Sequence, residues 1–319
     1  MAAEKLIDSL IELWERNRPA KFLTNPIGFS TFPMPPTLRT PTDGLDSTWI
    51  RRLTSGDSTP PLHRGIGAAG ATLGVLVLWW IVSALGIWSE IILPSPGQVW
   101  DAFVESVTSD GARRGLSDHL LWEHLAASLW RIVRGVFWGV VIGIPLGLAL
   151  GLSRAIEAWA EPIVGFLRSL PPLGYFSLLI IWFGIDDTSK VWLLFIAAFP
   201  PVALSVAAGV GSLRVERINA GLSLGANRRQ ILAHVVLPST LPDLFTGVRV
   251  AIGFAWTTIV AAETSNGIPG IGGLAWATKK QLRTDVAILC VIVIGVVAVL
   301  MDSILRAVER RVVPWKSRS

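Results

Sequence analysis

A chain of 319 residues that is 51% apolar, only 16% charged and rich in tryptophan, with 15 of them, is excluded from the ordinary class of water-soluble domains. The formal charge of +5 comes with a single cysteine, Cys290, so no disulfide closes within one chain. No metal-ligand cluster is visible in the sequence, and nothing in it points to a nucleic-acid partner.

The N-terminus lacks the basic start and apolar core of a cleaved signal peptide, because Glu4, Asp8 and Glu12 interleave with leucines. A helical pattern at Glu4–Arg16 precedes a stretch rich in proline and threonine. Residues 1–62 are therefore expected to be a cytoplasmic extension: one amphipathic helix and a linker that is a poor core former. A membrane domain is expected over 63–315, with a tail at 316–319.

Within that domain the apolar residues gather into long uncharged runs, and about 20 such residues cross the hydrocarbon core as a helix. Ile66–Trp88 and Val191–Leu213 carry no charge. Gly135–Leu152, Ser169–Ile185 and Val286–Met301 are shorter and extend into helices with ionisable ends, and Leu241–Thr264 completes the set. The fold class is thus an all-α membrane protein of about six transmembrane helices; a β-barrel is excluded by the absence of apolar/polar alternation. Pro171–Pro172 and Pro200–Pro201 are expected to bend or interrupt the third and fourth spans. Gly139, Gly143 and Gly147, at four-residue spacing, allow close helix packing.

Of the 28 basic residues, 19 fall in 1–65, 152–168, 212–240 and 302–319, 6 on the other side and 3 within spans. That asymmetry places both termini in the cytoplasm. On the outer side, Pro94–Val107 reads as a short helix along the membrane surface. The glycine-rich stretch Gly267–Gly273 reads as a tight outward turn; it lacks the lysine of a phosphate loop, and no such loop occurs elsewhere in the chain.

Arg131 and Arg134 are three apart on the second span, and an unpaired arginine near the bilayer centre costs at least about 2.5 kcal/mol. Arg131 is placed about 10 Å from the outer end of its span by the helical rise, and Glu263 at a similar level. One of the two arginines is expected to pair with Glu263, within a chain or across a dimer, and the other to be available to an anionic solute. A structural ion pair, or snorkelling to head groups, is the alternative. Trp256 and Thr257 are candidate pathway-lining residues, and Arg249 lies toward the cytoplasmic half of the same span.

Between the fourth and fifth spans, Ile218–Pro242 is too polar to cross and too strongly patterned to be a slack loop. Leu222, Ile231, Leu232, Val235 and Val236 recur at helical spacing. Gly225 with Asn227 marks a turn, Arg228 and Arg229 stand beside it, and Pro238 suits the start of the next helix. The expected structure is a cytoplasmic helical hairpin.

This segment resembles the cytoplasmic loop of importer permeases of the ATP-binding-cassette class: Glu-Ala-Ala, three residues, Gly, nine residues, Ile, one residue, Leu-Pro. Ala220, Gly225, Leu237 and Pro238 match, and Val235 replaces the isoleucine. Asn219 and Gly221 depart from the glutamate and the second alanine. The resemblance covers about residues 66–315 and narrows to the nitrate/sulfonate/taurine group, especially the taurine permeases. Leu93–Pro94–Ser95–Pro96, His124–Arg131, Gly143–Gly147, Leu170–Leu173, Trp182–Gly184, Thr188–Lys190, Val260–Glu263, Arg310–Arg311 and Pro314–Trp315 carry it.

The resemblance implies a permease that is not itself an enzyme and binds no cofactor, ATP and Mg2+ being held by a separate ATPase dimer. It further implies a homodimer in the cell membrane, a solute-binding protein as partner, and ATPase coupling through Asn219, Ala220, Gly221, Gly225, Ala226, Arg228, Arg229, Leu237 and Pro238. The implied cargo is taurine, an alkanesulfonate or nitrate. A secondary transporter or channel would also fit six spans but gives no reason for the hairpin. A membrane enzyme would need nucleophile, base or metal ligands gathered at one depth, and the four histidines are dispersed.

Overall fold

The computed structural model describes residues 61–110, 113–279 and 281–315. The expected amphipathic helix, most of the N-terminal extension and the tail at 316–319 lie outside the described residues. The regular structure within them is helical, apart from a two-residue antiparallel pairing of Ser109–Asp110 with Arg113–Arg114 and a bridge between Leu116 and His119.

In chain order the helices are α1 (Pro61–Ala84), α2 (Pro96–Val107), α3 (Leu121–Leu152), α4 (Arg154–Ser169), α5 (Pro172–Phe183), α6 (Asp187–Gly211), α7 (Val215–Ser223), α8 (Arg228–Ile231), α9 (Leu237–Asn266), α10 (Ile271–Lys279) and α11 (Thr284–Val312). A π-helical turn, Leu232–Val236, joins α8 to α9. Among the described residues four runs are long and apolar enough to cross a membrane, α3, α6, α11 and the run from α8 through α9, and a fifth if the bent pair α4 and α5 counts as one span. The apolar part of α1 covers Gly70–Ala84.

The third expected span, Ser169–Ile185, is bent rather than straight: α4 and α5 together qualify as one broken span or a re-entrant loop. Only α5, 12 residues long, forms there, and it meets α4 at a bend of 96°. Its own rise is about 18 Å, so only α4 and α5 together return the chain across the bilayer core between α3 and α6, which run in the same direction. The cause is local: Leu170 precedes a proline and takes extended backbone, and Pro172 then opens α5 where its missing N–H costs nothing. In the fourth span the interruption expected as one alternative at Pro200–Pro201 does not occur, because α6 runs unbroken through both prolines. Both prolines are buried against neighbouring helices, the setting that tolerates proline in a membrane helix.

Within the expected stretch Pro94–Val107 a helix forms as α2. Ser95 Oγ accepts the Gln98 N–H while Gln98 Oε1 accepts that of Ser95, a reciprocal cap. Val99, Ala102 and Ser106 turn inward, and Trp100 outward. Arg283 staples α2 to the start of α11 through Glu105 at 2.7 Å and Asp285 at 2.8 Å, and these carboxylates hold its guanidinium further above the ordinary arginine range.

The centre of the bundle is a seam between α3 and α6. Gly135, Gly139, Gly143, Gly147 and Gly151 meet Leu194, Ala198, Val202, Val206 and Val210, each series advancing by four residues. A Cβ on Gly139 would lie 2.8 Å from that of Ala198, and one on Gly143 2.9 Å from Val202 Cγ1. The backbones approach so closely only because the side chains are absent, and close packing is what holds helices together where lipid is as apolar as leucine. Ala251, Ala255 and Ile259 of α9 join this core. By contrast α11 turns Val291, Val296, Val299 and Ile304 outward.

Candidate functional sites: a terminal hairpin and a buried ion cluster

Helix α7 ends in a motif that accounts for the glycine in the sequence signature. The Gly225 N–H donates to the Leu222 carbonyl at 3.0 Å and the Ala226 N–H to the Gly221 carbonyl at 3.1 Å, with Gly225 at φ +79. This is the Schellman closure, and its left-handed residue favours glycine. Asn227 then caps α8: its Oδ1 accepts the Gln230 N–H at 2.9 Å, and Gln230 Oε1 accepts that of Asn227 at 2.8 Å.

The second arm of the hairpin does not stop before the span. Pro238 has no N–H, and its ring needs room at the carbonyl of His234, four residues back. The π turn supplies that room, with the Leu237 N–H reaching back five residues to the Leu232 carbonyl. The hairpin is therefore one short free helix, α7, packed on the end of a run continuous with α9. Ile231, Leu232 and Val236 bury themselves against Leu148, Val206 and Val210 at the ends of α3 and α6. Gly221 faces Ile231 closely.

Leu222 does not join that apolar face; it lies on the free side of α7, 40% exposed. Leu224, at the tip, is 88% exposed. Asn219, Ala220, Gly225 and Arg229 are also exposed, whereas Ala226, Arg228, Leu237 and Pro238 are half-buried. Gly221, Leu224, Gly225, Ala226, Gln230 and Ile231 help line a shallow groove of about 390 Å³.

At the opposite end of the bundle, α3, α6, α9 and the loop before α10 meet around Glu263. Its carboxylate, 1% exposed, accepts from Arg131 Nη1 at 2.7 Å, from Ser128 Oγ at 2.8 Å and from the Gly272 N–H at 2.9 Å. Arg131 Nη1 also donates to the Pro269 carbonyl at 2.9 Å, and Ser128 Oγ accepts the Ile271 N–H at 2.9 Å. His124 Nδ1 lies 3.1 Å from the Gly270 N–H and Nε2 3.1 Å from the Leu116 carbonyl. A neutral ring that donates through Nε2 satisfies both. The glycine-rich stretch is thus folded back onto Glu263 and leads into α10, whose Ile271, Gly272, Gly273 and Leu274 are buried.

Of the two arginines considered for Glu263, the structure brings Arg131. Arg134 is 3.8 Å from Asp187 Oδ2 instead, with its side chain 38% exposed and its Cζ 5.5 Å from the centre of the Trp130 ring. Asp187 also takes Arg131 Nε at 2.7 Å and lies 3.7 Å from Lys190 Nζ. Sequence reasoning missed Ser128, Asp187 and Lys190 as members of this cluster. Ser128 was open to detection, being three residues before Arg131 and so on its face. Lys190 was placed among the basic residues outside the spans but is buried in the first turn of α6, three residues from Asp187.

Trp256 and Thr257 are not part of the cluster. They stand about 10 Å along α9 from Glu263. Trp256 is packed in the core, its Nε1 without a hydrogen-bond partner among the described residues, and Thr257 is exposed. Arg249 makes a helix contact, tying α9 to α11 through Asp302 at 2.9 Å and Glu309 at 2.8 Å.

Residues 139–314 match the family model described as binding-protein-dependent transport system inner membrane component. The chain is 43% identical over 256 residues to the taurine transport system permease protein TauC of Escherichia coli (strain K12), with 80% of this chain and 92% of TauC covered. It is 35% identical to the aliphatic sulfonates transport permease protein SsuC of the same organism, covering 76% and 89%. It is 34% identical to the bicarbonate transport system permease protein CmpB of Synechococcus elongatus, covering 75% and 86%. With the family model spanning the hairpin and Glu263, and relatives matched over most of their length, this chain belongs to the binding-protein-dependent transport system inner membrane component family.

Proposed function

We propose that this chain is the membrane-spanning subunit of an ATP-driven importer, acting as a pair of copies in the cell membrane. A separate ATPase dimer, which holds the ATP and Mg2+, docks on the hairpin at the cytoplasmic face. A solute-binding protein delivers cargo to the opposite face, and the outward apolar sides of α1 and α11 meet lipid or the second copy. The cargo is a small oxyanion of the taurine, alkanesulfonate or nitrate class. The relatives named for taurine, aliphatic sulfonates and bicarbonate support that class.

The observation that carries the reading is the hairpin: an 88% exposed leucine at the tip of a rigidly closed turn, beside a groove and an exposed arginine, on a segment that continues into a membrane helix. Apolar exposure at a closed, well-capped tip suits a partner's cleft. A docked ATPase drives the cycle only if its two nucleotide states engage this tip differently, since equal affinity for both conformations shifts nothing.

The direct test is ATP-dependent taurine uptake by proteoliposomes containing this chain with its ATPase and binding protein. Uptake that persists without ATP would overturn the proposal. Within that assay Leu224→Asp is expected to reduce ATPase co-purification and uptake at least about tenfold, the equivalent of about 1.4 kcal/mol in docking. Gly225→Val is expected to act similarly by a different route: its Cβ meets open space, so the whole penalty is the left-handed backbone, about 1–2 kcal/mol at the turn itself.

A further inference from the structure

We propose that Arg134, Arg131 and Lys190 form an oxyanion site in which the carboxylate of Asp187 occupies the place of an external anion. Three cations converge on one carboxylate: Arg131 Nε at 2.7 Å, Lys190 Nζ at 3.7 Å and Arg134 Nη2 at 3.8 Å. Asp187 differs from its neighbour in the cluster, Glu263, in one decisive respect. Glu263 is sealed in, with hydroxyl, guanidinium and backbone donors around it, whereas the Asp187 side chain is 46% exposed. It can leave for water, while Arg131 and Lys190, with side chains 5% and 4% exposed, cannot.

The arginines divide the work. Arg131 is fixed by Glu263 and the Pro269 carbonyl, so it stays in place when Asp187 moves. Arg134 is only loosely engaged: its contact with Asp187 is 3.8 Å, and its buried Nε has no hydrogen-bond partner among the described residues. A guanidinium with an unused donor edge fits a planar or tetrahedral oxyanion in two-point contact. Trp130, stacked near its Cζ, holds the guanidinium by cation–π attraction without consuming its N–H groups. The exposed Asp186 precedes the site and disfavours multiply charged ligands, so a monoanion suits it best. A soluble sulfonate and the phosphodiester of a lipid headgroup share this chemistry. Its identification with the transported solute rests on the importer reading above.

The test uses the full chain in nanodiscs of phosphatidylcholine, titrated with methanesulfonate by calorimetry. Saturable binding is expected, tightened about tenfold by Asp187→Asn, which removes the competing carboxylate, and weakened about tenfold by Arg134→Gln with partial recovery in Arg134→Lys. Nanodiscs containing phosphatidylglycerol identify the source, because its phosphodiester is a net monoanion whereas that of phosphatidylcholine is neutralised by the choline. If a headgroup fills the site, methanesulfonate affinity falls there for the native chain but not for Arg134→Gln; if the soluble anion is the ligand, affinity is the same in both lipids. Correctly assembled variants that bind methanesulfonate as the native chain does, or an Asp187→Asn chain that binds it more weakly, overturn the site. Unchanged methanesulfonate binding alongside intact ATP-driven taurine uptake removes the oxyanion site alone. Saturable, variant-sensitive binding without ATP-dependent uptake removes the importer reading alone.

Discussion

Glu263→Ala is expected to destabilise the purified protein by about 3–5 kcal/mol, the cost of removing one partner from a buried charge pair. The carboxylate accepts from Arg131, Ser128 and the Gly272 N–H, and all three donors are buried or nearly so. Without it Arg131 Nη1 keeps only the Pro269 carbonyl, and Gly272 loses its acceptor at the entrance to α10. Glu263→Gln retains the shape and part of the hydrogen bonding, so it should cost less. Combining Glu263→Ala with Arg131→Met should restore part of the loss, because the second change removes a buried guanidinium left with Asp187 as its carboxylate partner. Equilibrium unfolding in mixed micelles reads all four proteins. A loss below about 1 kcal/mol for Glu263→Ala would show that water or lipid head groups replace the acceptor, as at an exposed ion pair.

Gly147→Leu is expected to be at least as damaging, by overpacking rather than by loss of a partner. Any Cβ at this position meets the Ala203 carbonyl and lies 2.7 Å from Val206 Cβ. Backbone cannot swing aside like the end of a long side chain, so α3 and α6 must part. The expected cost is about 3 kcal/mol or more, with little properly folded protein recovered. Gly253→Ala on α9 is the matched control: nothing lies within 4 Å of its added Cβ, and alanine is the better helix former. A chain that accepts leucine at 147 as readily as alanine at 253, judged by thermal unfolding and size exclusion, would rule out the seam as the source of bundle cohesion.

These two sites also show how far the sequence could be read. Gly139, Gly143 and Gly147 announced a close contact through their spacing, but their partner helix was hidden, because Leu194, Ala198 and Val202 look like any apolar run. Hydropathy located the apolar segments, yet by itself it read Ser169–Ile185 as one straight span, since a sliding run is blind to the 96° bend that Leu170–Pro171 imposes. Pro200–Pro201 left a bend or an interruption open, and burial between neighbours lets the helix pass through uninterrupted. That one of Arg131 and Arg134 pairs with Glu263 was legible, because opposite charges at one depth in an apolar medium have few other solutions; which of the two does so was not. Asp187 was not, since a charge at a helix start needs no explanation until its neighbours in space are known. At the hairpin the turn residues were plain from sequence, whereas the π turn before Pro238 leaves no compositional trace.

That π turn has a mechanical consequence. Because it relieves Pro238 without breaking the helix, the run Arg228–Ser265 is one rod of 38 residues, about 57 Å long. One tip carries the arm on which α7 rests, and the other carries Glu263. Pivoted near its middle, such a rod shifts each extremity by roughly 2.5 Å in opposite senses for a tilt of only about 5°. A push of that size at one tip is comparable with the 2.7 Å reach between Glu263 and Arg131 at the other.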